Sequence, residues 1–380
     1  MDRRRFISTS ILGAVSVGMG IGCDAAPFCR AGKKRDSKYS IVILGDTHFD
    51  TKPDTVYHSN YNEPTEWLNR VQRAEFARNG DMWEERCPRL VKRAAGLIDE
   101  GTRMVFQMGD LIQGDCGNGE VHRKMLSDVM NSFKAQLGGL PFVTVVGNHD
   151  IRGTDAEKTY HEYMPMRLSQ ELGQSITKTT FSFNIGDDAY IFLDFNRPDD
   201  AEIEKLMSET KGARHTFIVS HGPILAYDGA DNCRWFFHGS DTPEHNAARR
   251  HFREEFARRD AIVLCGHIHT TEFADWRGDG GRITQMTMNS VWSNEERSKF
   301  IINAHGADEY GKFNQAGGTN DNGSSVKDAS ALHAEYRPGL REYINSKAAG
   351  SYKMNVSEKS VTIDFYGGDS QELTRRFVLR

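Results

Sequence analysis

The stretch that decides the fold is Pro141-Phe-Val-Thr-Val-Val-Gly-Asn-His-Asp150, an apolar run that ends in polar residues. The β-branched run before Gly147 predicts a strand that is buried on both faces. Gly147 ends the strand, and the Asn-His-Asp triplet at 148–150 follows at its carboxyl end. Ligands of α/β proteins bind outside the carboxyl ends of the strands, so this triplet is placed for chemistry rather than for packing.

Four further apolar runs are also followed by polar residues. These runs lie at 39–45, 104–108, 216–220 and 261–265. Segments with helical spacing of apolar residues stand between several of them, and alternating strands and helices predict a mostly parallel sheet with right-handed crossovers. Two short aromatic strands are predicted at 180–184 and 189–194, and Gly186-Asp187-Asp188 between them is a hairpin signal. Segments at 352–356, 360–366 and 374–379 alternate apolar and polar residues and predict additional, antiparallel-leaning strands.

Two long stretches do not follow this alternation. Residues 49–86 are polar and aromatic, and we predict at most one short helix there, near 66–78. A loop of this length inside a compact domain is unusual unless it is functional, so it is interpreted as an insertion reaching over the strand ends. A substrate-facing role and an ordered surface excursion both remain open. Residues 303–330 predict an irregular loop, and Ser290–Trp292 has strand character.

The N-terminus has the pattern of an export signal. Three arginines at 3–5 precede a mildly apolar run at 7–22, which is typical of a twin-arginine signal peptide spanning residues 1–23. Cys23 resembles a bacterial lipoprotein cleavage site and predicts a lipid anchor. Residues 24–38 then form a linker to a catalytic domain at 39–380. The expected location is exported, either periplasmic or membrane-anchored, and the alternative is a basic tail on a disordered leader.

Composition excludes some classes of protein. The 380 residues carry a formal net charge of −5 and no basic block beyond the N-terminus, so general nucleic-acid binding is not expected. The six cysteines form no CxxC pair and no zinc-finger spacing, which argues against a disulfide framework. Cys265 ends an apolar run and is expected to be a free thiol.

The five strand ends together carry metal-binding side chains. They are Asp46, His48, Asp110, Asn148, His221, His267 and His269. Imidazole, carboxylate and amide oxygen suit borderline divalent metals, and the absence of cysteine argues against a structural zinc site. Seven such side chains exceed the needs of one ion. A central carboxylate can bridge two ions about 3.5–4 Å apart, the separation used for displacement at phosphorus.

These residues carry a family resemblance. The blocks Asp46-x-His48, Gly109-Asp110, Gly147-Asn148-His149-Asp150, His221 and Gly266-His267-x-His269 follow one another in that order. Over about residues 41–270 the chain resembles the calcineurin-like metallophosphoesterases. The resemblance implies an α/β fold, a four-layer αββα sandwich of two mixed sheets in a single catalytic domain.

The resemblance also implies roles for the individual residues. One divalent ion would be held by Asp46, His48 and His269. The other would be held by Asn148, His221 and His267. Asp110 would bridge the two ions, which would be Mn, Fe or Zn, and His149 would act as general acid for the leaving oxygen. The implied reaction is hydrolysis of a phosphomonoester or phosphodiester by metal-bridged hydroxide, on a small-molecule, lipid or glycan substrate.

Two departures from the family pattern concern the segment after Asp110. Many members carry an acidic residue three positions later, where it supports the catalytic histidine, but this chain has Gln113. Either Asp150 or Asp115 takes over that support, or His149 is less basic. The segment also lacks the tyrosine of purple acid phosphatases, which argues against an iron-tyrosinate centre. Weaker candidates for substrate contact are Arg152, Asn303, His305, Trp235, Trp276 and Trp292.

Two other classes of function compete with this reading. A metal-dependent nuclease would need a basic groove, and no Lys/Arg stripe in the sequence predicts one. A non-catalytic binding protein on the same scaffold would be expected to lose metal ligands, whereas all seven are present here.

Overall fold

The computed structural model describes residues 38–226, 236–278, 280–312 and 330–380. The strands in these ranges are β1 (Lys38–Leu44), β2 (Thr102–Gln107), β3 (Phe142–Thr144), β4 (Phe181–Ile185), β5 (Asp188–Leu193), β6 (Thr216–Ser220), β7 (Ile262–Cys265), β8 (Thr271–Gly278), β9 (Gly281–Thr287), β10 (Ile302–His305), β11 (Leu340–Ser346), β12 (Gly350–Ser357), β13 (Val361–Gly367) and β14 (Arg375–Val378). The helices are α1 (Thr55–His58), α2 (Glu66–Glu85), α3 (Cys87–Ala95), α4 (Gly119–Gln136), α5 (Ala156–Leu172), α6 (Asp200–Glu209), α7 (Pro243–Arg258) and α8 (Ser330–Tyr336).

The strands form two mixed sheets. The first sheet has the order β14-β13-β12-β1-β2-β3, and the second has the order β10-β11-β8-β9-β7-β6-β5-β4. Strands β1, β2 and β3 run parallel to one another, and so do β5, β6, β7 and β9. The remaining neighbours pair antiparallel. The C-terminal strands therefore complete the first sheet beside β1, the first strand of the chain.

The buried apolar side chains form three hydrophobic clusters, one between the two sheets and one under the helices on the outer face of each sheet. In β1, Ile41 and Ile43 point into a core shared by the two sheets, while Val42 and Leu44 pack under helices on the outer face. Helices α3, α4 and α5 cover the first sheet, and α6 and α7 cover the second. The predicted four-layer αββα sandwich is confirmed.

The insertion at 49–86 is more helical than predicted. Instead of one short helix, it contains α1 and the 20-residue helix α2. Thr65 caps α2 by accepting a hydrogen bond from the Leu68 amide at 3.2 Å. The apolar residues of α2 are too few to mark it clearly, and Phe76, Gly80 and Met82 are buried only against the rest of the domain. Tertiary contacts therefore stabilise this helix more than its own sequence does.

Other elements also differ from the predictions. Helix α5 was not predicted, and Pro165 inside it breaks the usual helical pattern. The strand predicted at Ser290–Trp292 is wrong, because these residues form a loop between β9 and β10. The stretch at 303–330 begins inside β10 rather than as a loop.

Several predictions fall on residues outside the described ranges. Residues 1–37, with the signal pattern, Cys23 and most of the linker, are among them, as are Cys233 and Trp235. Within the described ranges, the three cysteines are buried free thiols: Cys87, Cys116 and Cys265. No helix in that part of the chain has the length and apolar character needed to cross a membrane.

Candidate metal centre

The carboxyl ends of both sheets meet at one site. The first sheet contributes Asp46 and His48 after β1, Asp110 after β2, and Asn148 after β3. The second sheet contributes its residues from the loops that follow β6 and β7, namely His221, His267 and His269. The structure brings the seven predicted side chains into two adjoining groups, and Asp110 belongs to both.

The first group contains Asp46, His48, His269 and Asp110. The Nε2 atoms of His48 and His269 lie 2.9 Å apart, and Nε2 of His269 lies 3.2 Å from Oδ2 of Asp46. Nε2 of His48 lies 3.8 Å from Oδ2 of Asp110. Nitrogen and carboxylate donors thus point to a common centre from both sheets.

The second group contains His221, His267, Asn148 and Asp110. Nε2 of His221 lies 3.2 Å from the same Oδ2 of Asp110 and 3.1 Å from Nδ1 of His267. Oδ1 of Asn148 lies 3.3 Å from Nε2 of His221, which adds an amide oxygen to the group. The phenyl ring of Phe195 lies 5.3 Å from the His267 ring and forms an apolar wall beside this group.

Unusual backbone conformations place these ligands. His48, Asp110, His267 and His269 have φ values of 42°, 50°, 75° and 48°, in the left-handed region. Such a conformation costs a residue with a side chain about 1–3 kcal/mol, and it persists where the surrounding structure enforces it. Gly147 permits the close approach of two loops, because a Cβ there would overlap the main chain of Asp110.

The electrostatics of the site fit divalent cations. Burial lowers the pKa of both His48 and His267 to about 3, so their neutral rings offer lone pairs. Burial opposes the charge of Asp110, yet His221 and His149 hold the pKa of this carboxyl well below its usual range. Burial also opposes the charge of His221, but Asp110 and Asp46 raise its pKa to about 9. A negative carboxylate among imidazoles is the donor set expected for metals such as Mn, Fe or Zn.

His149 lies against this centre with both ring nitrogens engaged. Its ring centroid is 4.5 Å from that of His48. Nδ1 lies 3.0 Å from the main-chain carbonyl oxygen of Gln113, which can only accept, so Nδ1 donates. Nη1 of Arg152 donates to Nε2 at 3.2 Å. Burial and the Arg152 cation lower the pKa of His149 to about 3, so the predicted general-acid role requires Nε2 to gain a proton when an anionic substrate approaches.

The two aspartates predicted to support His149 act on other groups. The carboxylate of Asp150 accepts hydrogen bonds from the amides of Gly147 at 2.8 Å and Ile112 at 3.1 Å, so it holds the turn rather than the imidazole. Asp115 pairs with Arg152 through Oδ2 and Nη2 at 2.6 Å. Direct support of His149 therefore comes from a main-chain carbonyl, which a side-chain motif cannot reveal.

Some weaker candidates lie away from the centre. Trp276 and Trp292 are buried core residues. Asn303 accepts a hydrogen bond from the Lys347 amide, and His305 lies in β10 beside Ile344.

Sequence reasoning missed two residues near the centre. Phe195 follows the apolar run of β5 without a polar signal, and Arg297 donates to the main-chain carbonyl of His269 at 3.3 Å.

A search of curated proteins found no match. A solved structure described as "GAP50 the anchor in the inner membrane complex of Plasmodium" is similar with 13% sequence identity and a TM-score of 0.49, over 90% of this chain and 89% of that one. A structure described as "Structure of PhoD" has 11% identity and a TM-score of 0.48, over 90% of this chain and 68% of that one.

The sequence model of the calcineurin-like phosphoesterases (Metallophos) matches residues 39–271, which is more than half of the chain. The matched range includes every residue of both ligand groups. The chain therefore belongs to the calcineurin-like phosphoesterase family.

Proposed function

We propose that the protein hydrolyses a phosphate ester at a centre of two divalent metal ions. Family membership and the metal site support metal-dependent phosphoester hydrolysis in general. The observation that carries the two-ion proposal is the position of Asp110. Its Oδ2 lies 3.8 Å from Nε2 of His48 in one ligand group and 3.2 Å from Nε2 of His221 in the other.

The two groups of residues in the structure correspond to the ligands of two separate ions. Asp46, His48 and His269 would hold one ion, Asn148, His221 and His267 the other, and Asp110 would contact both. When bound, such ions lower the pKa of a coordinated water and neutralise phosphoryl oxygens. The charge of Asp110 and the neutral rings of His48 and His267 favour binding of cations, whereas His221, whose pKa is raised to about 9, would release a proton when an ion binds.

Residues beside the centre would contact the phosphoryl oxygens, the leaving oxygen and the organic part of the ester. Arg152 is 31% exposed, and its guanidinium is placed to donate hydrogen bonds to a phosphoryl oxygen. His149 presents Nε2 next to it and would act at the leaving oxygen. Phe195 would contact an apolar part of the substrate on the opposite side.

The substrate proposed is a small-molecule, lipid or glycan phosphate ester. An exported location is part of this proposal, and it is supported by the arginines at 3–5 and the apolar run at 7–22. Cell fractionation of a tagged protein, compared with a variant carrying Lys at positions 4 and 5, tests the location. Retention of the unaltered protein in the cytoplasm would contradict it.

A substrate screen tests the function. Protein loaded with Mn, Fe or Zn is assayed with p-nitrophenyl phosphate, bis(p-nitrophenyl) phosphate and alkyl esters, with Asp110→Asn as control. Turnover that is lost in the control is the expected result, and the monoester-to-diester ratio assigns the class. If metal-loaded protein turned over none of these esters, the non-catalytic binding protein would be the better explanation.

A further inference from the structure

Helix α2 of the insertion contacts all three loops through which the first sheet delivers its ligands. The contacts come from Glu75, Asn79 and Trp83, which are spaced four residues apart and therefore share one face of the helix. We propose that α2 is part of the active site and positions His48 and His149 through these three side chains. This inference rests on the proposed function.

Trp83 acts on the loop after β1. Its indole Nε1 donates to the main-chain carbonyl oxygens of Thr47 at 2.8 Å and His48 at 3.1 Å. His48 is a metal ligand in the left-handed conformation, with φ of 42°. A donor that contacts the carbonyl of such a residue stabilises a conformation that the chain would otherwise avoid. Trp83 thereby fixes the direction in which the His48 ring points.

Asn79 acts on the loop after β2. Its Nδ2 donates to Oε1 of Gln113 at 2.5 Å, and the side chain of Gln113 is fully buried. The carbonyl oxygen of the same Gln113 accepts the hydrogen bond from Nδ1 of His149 at 3.0 Å. Asn79 therefore holds the residue whose main chain sets the orientation of the His149 ring. The support is uncharged, unlike the acidic side chain of many family members.

Glu75 acts on the loop after β3. Its Oε2 lies 3.6 Å from Nη2 of Arg152, whose other terminal nitrogen donates to Nε2 of His149. Asp115 holds the same guanidinium at 2.6 Å, so Glu75 contributes the smaller share of this support. Both nitrogens of the His149 ring are thus reached from α2, one through Gln113 and the other through Arg152.

The helix itself is firmly seated, which a positioning element requires. The Phe76 ring stacks on His58 with ring centroids 3.8 Å apart, and Nε2 of His58 lies 3.1 Å from both oxygens of Asp50. Gly80 lies against Thr51 and Lys52, and an added Cβ would come within 2.9 Å of the Lys52 side chain. Movement of α2 would therefore disturb buried contacts as well as the three loops.

The main test compares two asparagines of the same helix. Asn79→Ala removes the contact with Gln113, whereas Asn69→Ala removes hydrogen bonds to Asn62 and Glu63 that stay within the insertion. We expect Asn79→Ala to lower kcat about 10-fold with an alkyl ester, less with a nitrophenyl ester, and to leave KM within about 2-fold. Asn69→Ala should change neither. Equal kcat values for the two variants with both esters would overturn the proposal.

Asn79→Asp separates positioning from general destabilisation. The Gln113 amide can turn so that its NH₂ donates to the new carboxylate, and we expect at least half of the lost kcat to return. A variant that only weakened the fold would lower the melting temperature without changing the dependence on the leaving group. No recovery in a folded Asn79→Asp protein would count against the proposal.

Two readouts do not depend on turnover. We expect Trp83→Phe, which keeps the ring and removes the donor, to weaken binding of Mn²⁺ about 10-fold by calorimetry. In proton NMR, the Nδ1 proton of His149, assigned by its loss in His149→Asn, should be protected in the unaltered protein and in Asn69→Ala but exchange rapidly in Asn79→Ala. If no ester is hydrolysed yet both results hold, the proposed function fails and the positioning role stands. Unchanged Mn²⁺ affinity together with an unchanged proton signal would refute the role.

Discussion

The Nε2 atoms of His48 and His269 lie 2.9 Å apart, although 221 positions separate the two residues in the chain. One follows a strand of the first sheet and the other a strand of the second. Each ring directs a nitrogen at the same point, and Asp46 adds a carboxylate oxygen 3.2 Å from the His269 nitrogen. The candidate metal site thus lies between the two sheets, and on the proposed function metal binding is expected to stabilise the fold.

Metal stoichiometry should depend on which ligand is removed. His267→Ala should reduce the content from two ions to one, because this ring belongs to a single group. Asp110→Asn should weaken the binding of both ions, since the Asp110 carboxylate belongs to both groups. Elemental analysis after dialysis against low metal concentrations measures the content. Equal stoichiometry in the two variants would contradict a shared carboxylate.

Removal of metal should lower the thermal stability. A ligand that binds only the folded state stabilises it by about 2.7 kcal/mol at 100 times its Kd. Differential scanning calorimetry with and without a chelator should therefore show a lower melting temperature for the chelated protein. Asp110→Asn serves as the control, and a chelator effect of the same size in that variant would show that the stabilising ions bind elsewhere.

Gly147→Ala should disrupt metal binding without a change in any ligand. An added Cβ would overlap the main-chain nitrogen of Asp110, so the loop after β2 would have to move. We expect the affinity for metal to fall at least about 10-fold. Gly101→Ala is the matched control, because a Cβ there approaches only side-chain oxygens, those of Asp99 at 3.3 Å and Ser40 at 3.9 Å. Calorimetric titration with Mn²⁺ compares the two variants.

Asp150→Asn should reduce the stability of the fold. The buried carboxyl accepts hydrogen bonds from the Gly147 and Ile112 amides, and burial and the Asp110 charge raise its pKa to about 7. The substitution leaves one of the two amides facing an NH₂ donor instead of an acceptor. The expected loss in the free energy of unfolding is about 2–3 kcal/mol. Asp155→Asn, at an exposed position, should cost less than about 0.5 kcal/mol. Urea unfolding with both variants provides the measurement.

Substitutions at the ends of the sheets opposite the metal centre should lower the stability of the protein and leave its activity unchanged. The Arg214 guanidinium bonds both oxygens of the buried Asp188, with Nε 2.8 Å from Oδ1, and the Tyr39 hydroxyl bonds the same carboxylate across the two sheets. Arg214→Met leaves this carboxylate without its cation and should cost about 3 kcal/mol. Tyr39→Phe should cost about 1 kcal/mol. Urea unfolding measures both, and kcat of the folded variants should stay unchanged.

The stability contributed by His161 should depend on pH. A hydrogen bond to Asp194, at 3.3 Å, raises the pKa of His161 above its ordinary value. This contribution is therefore fully present below about pH 6.5 and is lost as the pH rises through the raised pKa. His161→Gln should thus destabilise the protein more at pH 5.5 than at pH 9, by roughly 1 kcal/mol or less. If His161→Gln destabilised the protein equally at both pH values, the stability would not come from the hydrogen bond between protonated His161 and Asp194.

The regularly alternating parts of the fold could be predicted from the sequence, and the irregular parts could not. The strand predicted at 216–220 agrees with β6 residue for residue, because a short apolar run bounded by polar residues favours a strand that is buried on both faces. Helix α2 was underestimated, since its sequence is mostly polar and its buried face forms against His58 of α1 and the loops after β1 and β2. Helix α5 escaped notice because Pro165 interrupts its pattern.

The candidate site likewise has a part that the sequence predicted and a part that it did not. The order and chemistry of its polar blocks identified all seven residues that the structure brings together, because parallel strands of one sheet end at the same edge and the family resemblance implied two such sheets. The partners of His149 could not be foreseen. They are a main-chain carbonyl and an arginine, and neither follows from the side chains expected near it.

The sequence by itself determined which residues meet at the strand ends and which chemistry they share, because strand periodicity and polar termini are local properties. The two sheets and the bridging place of Asp110 were expected from the family resemblance. Only the tertiary structure decided that α2 reaches the loops around His48 and His149, and that a main-chain carbonyl and Arg152 contact the His149 ring. These features depend on the packing of distant segments, for which the local pattern contains no signal.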